Sequence, residues 1–552
     1  MLNNKDNSIE LGANLTKCLS CNESINQTDF YKKYDICPFC NFHYSIDYKK
    51  RIEIISDHNT FKEINKNISI KKPDNLNLDE TYKKNVRQTR KRTGLEEAAI
   101  TGTCNIGGIK TVIILLDFGF MGGSMGLIVG EKISKAFNYA SKNKLPIVSM
   151  ISSGGERVQE GLFSLVQMIK TVIATKELEN KELPHISLFS NPSGGQVYGS
   201  FANRADFKLA EPGAIIGLFP LNELIDNSKV ASKIDISSEN FFRKGLIDKI
   251  VSRNTLKIEL FTILENIISN YKIPKKIDLN MPNLEFKISV KNKKYIEKGR
   301  PTAKIYIEKV FEDFIQLGNQ IGNDQVISGI AKIASQPVII IGQNYQRNLS
   351  SDKGLVTNND LIKIEKFITL SEKFQIPIVF FVDNKGFEIS YKNEISGLGN
   401  RLSKVIEDLS SHNQQIISII IGETTSEASV PFLVSDNVMM LENSIFWPNN
   451  QNKGIEFLTS KECLDNKLID SIIPEPPLGA EKGPEDMARL IKISLINSFS
   501  SLNSLSSKKL LKNRNKKFLN IDLGEQKIIN TVSEEIKLWK EVLGASYKGF
   551  RK

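Results

Sequence analysis

Four cysteines near the start of the chain are spaced Cys18-x2-Cys21-x15-Cys37-x2-Cys40. Each CxxC turn can present two thiolates to one cation, and two such turns make the closed tetrahedral sulfur shell of a structural zinc. With every position filled by sulfur, no site stays open for substrate, so the spacing predicts a structural metal. Two disulfides are the competing reading. The polar residues 1–17 do not read as a signal peptide, and Cys104 and Cys463 are isolated, so nothing points to an oxidising compartment.

A second kind of chemistry is carried by glycine pairs: Gly122-Gly123 in FMGGSMG, Gly154-Gly155 in SSGGER and Gly194-Gly195 in NPSGGQ. The middle pair follows a β-branched run and precedes a stretch of good helix formers. A bare turn at that point can aim backbone N–H groups at a ligand oxygen. An enolate or tetrahedral oxyanion needs such donors, and losing one costs roughly 100- to 1,000-fold in rate. A tight turn with no ligand is the plainer reading of each pair. There is no GxSxG, no HExxH and no Walker lysine, and His43, His58, His185 and His412 are scattered. An enzyme built here works through backbone dipoles rather than a side-chain base.

These turns need rigid elements to hold them, and the chain supplies an α/β pattern. Thr111–Phe118, Leu145–Ile151 and Ile186–Phe189 read as buried strands, and Glu131–Asn143 reads as an amphipathic helix between them. A polar, basic stretch at 276–299 reads as a linker, and a second α/β region follows. The two regions look like repeats of one unit. Leu145-Pro146-Ile147-Val148 is echoed by Ile376-Pro377-Ile378-Val379, and Ser152-Ser153-Gly154-Gly155 by Asp383-Asn384-Lys385-Gly386. Phe201–Asp206 is echoed by Phe432–Asp436; Pro146 to Asp206 is 60 residues, Pro377 to Asp436 is 59. The expected partition is a ribbon at 14–45, a first domain at 46–275, the linker, a second domain at 300–520 and a tail at 521–552 with a short amphipathic helix at 531–543.

The 552 residues are too many for one core, and 40% hydrophobic with 25% charged residues is ordinary for a globular protein. No apolar run approaches a bilayer span, so a cytoplasmic location without membrane partners is expected. The net charge of +11 suits anionic partners. Basic residues cluster at Lys83, Lys84, Arg87, Arg90, Lys91 and Arg92, and again at Lys508, Lys509, Lys512, Arg514, Lys516 and Lys517. A solvated face is the bland account of either cluster.

The ribbon, Leu116–Gly130, Ser152–Gln159 with Glu160, Ser164–Met168 and Ala210-Glu211-Pro212, in that order, resemble the β subunit of bacterial acetyl-CoA carboxylase carboxyltransferase. Arg300-Pro301-Thr302-Ala303, Ser328–Gly342, Phe374–Val379, Lys467–Pro476 and Leu478-Gly479-Ala480 resemble the α subunit of that enzyme. The chain looks like a β–α fusion over residues 18–520. The resemblance implies two tandem crotonase-like (ClpP/crotonase) ββα-superhelix domains preceded by a small four-cysteine zinc ribbon. It implies active sites where a β-type domain faces an α-type domain. There, carboxybiotin on a carrier protein gives its carboxyl group to acetyl-CoA, making malonyl-CoA for fatty acid synthesis. The biotin anion takes the α-proton, which accounts for the missing protein base. Gly154 and Gly155 would hold the enolate oxygen. Gly122, Gly123, Gly194 and Gly195 would line the acyl-CoA side, with Arg87 and Arg90 at its phosphates. Gly422 and Ala428 would stand on the biotin side. Biotin carboxyl carrier protein and biotin carboxylase would be partners, and the assembly a homodimer of fused chains. Nucleic acid ranks as a secondary partner.

Departures from the family lie mainly in the second half. A stretch reading Gly-Glu-Gly-Gly-Ser-Gly-Gly-Ala in the family is Gly422-Glu423-Thr424-Thr425-Ser426-Glu427-Ala428-Ser429 here. Threonine disfavours positive φ, and Glu427 places a negative charge where an anion should form. An Asp-Thr-Pro-Gly-Ala-Tyr-Pro-Gly turn is replaced by Asp383–Ser390, and a Met-Gly-Gly turn by Gly194-Gly195-Gln196. Two other readings follow from this erosion: an acyl-CoA decarboxylase or hydratase that needs no biotin, and a non-catalytic or nucleic-acid-binding relative.

Overall fold

The computed structural model describes residues 16–68, 79–218, 236–282, 299–318, 325–347, 354–448 and 457–519. The chain divides into two compact units, one built mainly from Met1–Tyr271 and the other from Lys272–Val310, Gly342–Ile368 and Pro377–Lys552. The tail, with its expected helix at 531–543, and most of the 276–299 linker lie outside the described residues.

In the first unit, helices α1 (Asp29–Tyr34), α2 (Tyr48–Ile55) and α3 (Glu80–Thr93) precede or flank the first strands. The strands are β1 (Lys62–Ile64), β2 (Ala99–Ile106), β3 (Ile109–Leu116), β4 (Ile147–Ser153), β5 (His185–Gly194), β6 (Phe207–Ala210), β7 (Ile216–Gly217) and β8 (Lys249–Ile250). They form one sheet in the order β1-β2-β3-β4-β5-β6-β8, with β7 on β5. The β2–β3 pair is an antiparallel hairpin, and from β3 onward the strands are parallel. The last six residues of β3 and all of β4 are buried, as a continuous apolar run in a covered sheet requires. Helices α4 (Leu127–Asn143) and α5 (Leu162–Glu179) make the crossovers. Helix α5 begins later than the sequence suggests: a 3₁₀ turn at Val158–Glu160 and Gly161 at φ +57° separate it from Gly155. The Gly154-Gly155 pair is therefore not a helix N-terminus.

A second sheet holds β9 (Glu312–Gln316), β10 (Val326–Ile333), β11 (Gln336–Gln343), β12 (Ile378–Val382), β13 (Ile416–Ile420), β15 (Asn437–Leu441) and β18 (Ser471–Ile473). Its order is β18-β15-β13-β12-β11-β10-β9. Strands β14 (Glu423–Thr425), β16 (Ile445–Trp447) and β17 (Leu458–Thr459) form a small third sheet.

The repeat extends to single hydrogen bonds. Lys144 and Gln375, each just before the Leu-Pro or Ile-Pro pair, both adopt the left-handed conformation, at φ +54° and +57°. Asp206 exchanges two bonds with His185 at the head of β5: its carboxylate accepts from the His185 amide (2.9 Å) and its amide donates to the His185 carbonyl (2.9 Å). Asp436 does the same with Ile416 at the head of β13, at 2.9 and 2.8 Å. A short polar side chain fixed to the first residue of a buried strand satisfies backbone groups that water cannot reach.

Candidate active site

Glycine geometry builds the first turn. Gly122 and Gly123 sit at φ +66° and +64°, and a Cβ on Gly123 would lie 2.0 Å from the Ser152 carbonyl oxygen. Only glycine lets this segment press on the end of β4. Gly154 donates its amide to the Gly122 carbonyl (2.8 Å), and Gly155 donates to the Ser153 hydroxyl (3.1 Å). The amides expected to hold an enolate oxygen are thus engaged by the protein itself. A proton donor already bonded in a buried turn is costly to redirect. What Gly155 offers instead is a side-chain-free contact with the next turn. At φ +120°, a methyl group added to it would approach the Gly195 and Gln196 nitrogens to 3.8 and 3.9 Å. Gly194 is extended (φ −121°) at the end of β5, and Gly195 turns at φ +60° into the short helix α6 (Gly195–Tyr198). A Cβ on Gly195 would strike the Gly155 Cα at 2.6 Å. The two turns are in contact, glycine against glycine. Gln196 is 3% exposed, and neither polar atom of its carboxamide has a partner among the described residues.

Beneath the turn lies a buried charge network whose pairing the sequence did not show. Arg157 makes a bidentate bond to Glu97 (2.8 and 2.6 Å) and donates to the Ser124 hydroxyl and carbonyl. Its backbone brackets Met125, which in turn donates to the Gly155 carbonyl (2.8 Å). Burial pushes the Arg157 guanidinium toward losing its proton, but the Glu97 and Glu160 carboxylates outweigh this and hold it firmly protonated. Tyr82 donates to Glu160 at 2.7 Å, and Glu160 accepts from the Leu127 amide at the start of α4. Tyr82 belongs to α3, the helix of the first basic cluster. Thr89 and Arg92 also tie α3 to Met121 and Gly119. Arg87 and Arg90 stand on this helix, Arg90 donating to the Glu96 carbonyl at 3.1 Å. The basic helix therefore flanks the segment that carries Gly122 and Gly123.

In the second unit the counterpart turn has the same wiring and different side chains. Lys385 donates to the Gly354 carbonyl (2.8 Å), and Gly386, at φ +103°, to the Asn384 side chain (3.0 Å). Val356 donates to the Gly386 carbonyl as Met125 does to Gly155. Gly195 corresponds to Ser426, which adopts φ +53° despite its side chain, and Gln196 corresponds to Glu427. The Glu427 carboxylate accepts from the Ser426 hydroxyl and from its own amide, and these two contacts hold it below the usual glutamate range. Ala428 is buried in the 3₁₀ turn Ser426–Ser429. Gly422 lies against the Arg347–Asp383 ion pair; a Cβ there would meet both side chains at 2.4 Å.

The ribbon is made of twin knuckles. Asn22 and Asn41 follow the second cysteine of each pair, at φ +62° and +59°, and return their amides to the Cys18 and Cys37 carbonyls (2.9 and 3.0 Å). All four sulfurs lie within 4.8 Å of one another, with Cys18–Cys40 and Cys21–Cys37 both at 3.7 Å. That is far beyond a disulfide bond and close to the ~3.8 Å edge of a tetrahedron with zinc–sulfur bonds of that type. Burial pushes the Cys18 thiol up, but donors from Tyr44 (3.2 Å) and neighbouring amides bring it down to about 6. The cluster can hold a metal ion.

The carboxyl transferase domain family matches residues 48–218, which carry the first turn. The acetyl co-enzyme A carboxylase carboxyltransferase-like family matches residues 296–522, which carry the second. Acetyl-coenzyme A carboxylase carboxyl transferase subunits beta/alpha of Clostridium tetani (strain Massachusetts / E88) is 34% identical over 94% of this chain and 95% of its own length. The chain belongs to the fused β/α carboxyltransferase family. The beta subunit of the Clostridioides difficile (strain 630) enzyme is 40% identical over 45% of the chain. A transcarboxylase 12S structure with hydrolysed methylmalonyl-coenzyme A bound superposes with a TM-score of 0.66 at 18% identity, over 83% of this chain and 90% of that one. This confirms the carboxyltransferase fold. The protein is an enzyme of carboxyl transfer, and the biotin-free and non-catalytic readings are not favoured. Among the described residues, no helix is long and apolar enough to cross a membrane.

Proposed function

We propose that this carboxyltransferase moves the carboxyl group of carboxybiotin, borne by a separate carrier protein, to the methyl carbon of acetyl-CoA. The product is malonyl-CoA for fatty acid synthesis in the cytoplasm. One observation carries the chemical reading: the Gly154-Gly155 and Gly194-Gly195 turns meet backbone to backbone with no side chain between them, beside the Gln196 amide. An acetyl thioester oxygen brought to the Gln196 amide beside this contact would have the negative charge that develops on it stabilised as the α-proton leaves. The N–C bond of carboxybiotin breaks to give CO2 and a ureido anion. That anion takes the α-proton, and the enolate carbon forms the new C–C bond to CO2. The role assigned in sequence to the Gly154 and Gly155 amides passes to their neighbours, while Gly155 acts by lacking a side chain. Helix α3, anchored beside Gly122 and Gly123, offers Arg87 and Arg90 to the phosphates of CoA. Zinc in the ribbon is structural, and the assembly is a homodimer of fused chains. The test is purified protein with biotin carboxylase and biotinylated carrier, assayed for malonyl-CoA from acetyl-CoA. Intact protein that makes none, beside partners active with another carboxyltransferase, would end this reading.

A further inference from the structure

In both repeats a buried arginine from outside the sheet reaches a matching point on the strand that leads into the turn. In the second repeat Arg300 donates to the Ile421 carbonyl (2.6 Å) and pairs with Glu475 (2.5 Å). In the first, Arg51 of α2 donates to the Ser190 hydroxyl (2.7 Å) and to Glu211 (3.3 Å). Ser190 and Ile421 occupy matching positions, 44 residues beyond Pro146 and Pro377. The repeats differ in what else their carboxylates hold. Glu475 binds Arg300, Asn443 and the Ala480 amide, all within the second unit. Glu211 also receives two bonds from Arg253, both at 3.0 Å. Arg253 spends its remaining donors on ribbon carbonyls: Tyr34 (2.8 Å), Asp35 (3.3 Å) and Tyr44 (3.1 Å). The Tyr44 hydroxyl donates to the Cys18 sulfur. At the other end, Ser193 donates to the Ser190 carbonyl (2.6 Å) and to the Ile151 carbonyl of β4 (3.0 Å), immediately before Gly194-Gly195. The contacts in this series run from 2.6 to 3.3 Å, and the ionic members are buried. A buried carboxylate shared by two guanidiniums cannot lose one without rearranging on the other.

We propose that Glu211, held between Arg253 and Arg51, is a positioning residue that couples the metal state of the four-cysteine ribbon to the conformation of the Ser190–Gly195 turn. A metal-loaded ribbon presents the three carbonyls at fixed places, which fixes Arg253, then Glu211 and Arg51, then β5 at Ser190. The consequence for catalysis rests on the reading of that turn as the acyl-CoA side. The coupling itself does not.

Hydrogen exchange on the full-length protein tests it, with Zn2+ bound and after removal by a chelator. Zinc removal is expected to speed exchange of the 190–198 amides about tenfold or more, as local opening does, and to leave 421–430 unchanged. Glu211→Gln with zinc bound should match stripped wild type at 190–198, and stripping it should add nothing. If Glu211→Gln does not fold, Ser190→Ala removes only the hydroxyl that accepts from Arg51, leaving the Arg51–Glu211 pair, and should uncouple the turn in the same way. Exchange at 190–198 that ignores zinc, or that quickens together with 421–430, overturns the proposal. The KM for acetyl-CoA should rise on stripping in wild type and stay level in Glu211→Gln. Failure of acetyl-CoA to bind at all would sink the functional reading, while the exchange data would still decide the coupling.

Discussion

The two turns are one device in two chemical versions. Both strap the residues after the first central strand with the same backbone bonds, at Gly154-Gly155 and at Lys385-Gly386. Both follow with a residue at positive φ, Gly195 or Ser426. The difference lies in what stands over the donors. In the first, two glycines lie face to face with no side chain between them. In the second, a carboxylate folds onto its own amide and the adjacent hydroxyl. A permanent negative charge at such a turn opposes an arriving anion, whereas a bare turn welcomes one. The contrast teaches that the fold supplies the donors, and side chains decide whether a ligand finds them ready.

The largest expected effect comes from covering the bare turn. Gly155→Val puts a branched side chain where a single Cβ already comes within 3.3 Å of the Gly195 Cα. Turnover with acetyl-CoA should fall about 100-fold or more, the size of losing a backbone-type oxyanion donor. Circular dichroism should still report a folded chain, and a rate near wild type would remove the donors from the mechanism.

The converse change uncovers the second turn. Glu427→Gly deletes the internal anion and restores the residue type of the family at that position. The rate of biotin-dependent malonyl-CoA decarboxylation, measured with free biotin, should rise about tenfold, a little over 1 kcal/mol in binding. Glu427→Gln, which keeps the bulk and loses the charge, should give an intermediate rise. Equal rates in all three proteins would mean that the carboxylate does not stand in the way. Ser426→Gly at φ +53° should add roughly 1 kcal/mol of stability in either background, by relieving a left-handed side-chain position.

How much of this could be read beforehand depends on the range of the forces involved. The knuckles were legible because a metal site is written in side-chain identity at short spacing. The repeat was legible because Pro146 to Asp206 and Pro377 to Asp436 keep nearly equal lengths, and the paired Asp206 and Asp436 bonds explain why. The partners of Gly154 were not legible. Its amide is spent on Gly122, thirty-two residues upstream, and no local pattern announces that bond. The extent of α5 was misjudged because Gly161 breaks a run that otherwise favours helix. Arg51, Glu97, Arg157, Glu211 and Arg253 are charges that composition assigns to solvent. Only the fold shows that each meets an opposite charge in the interior.

The smallest predicted effect concerns the heads of the matching strands. His185 starts β5 where Ile416 starts β13, and both are clasped by an aspartate about twenty residues further on. His185 is fully enclosed, with its Nε2 2.8 Å from the Ser149 hydroxyl and its ring edge-on to Phe137. Burial, helped by the nearby Lys373 charge, lowers it to about 3. The folded protein therefore keeps this ring neutral after the unfolded chain has begun to take up a proton. Above an ordinary histidine value of about 6.5 the difference is nil. As pH falls from there toward 3, the unfolded state binds the extra proton and stability declines. The midpoint of thermal unfolding should drop on acidification through that window. His185→Ile, which installs the residue of the second repeat, should flatten that part of the decline. An unchanged acid slope would place the sensitivity elsewhere, since Ile416 already shows that this strand position does not require an imidazole.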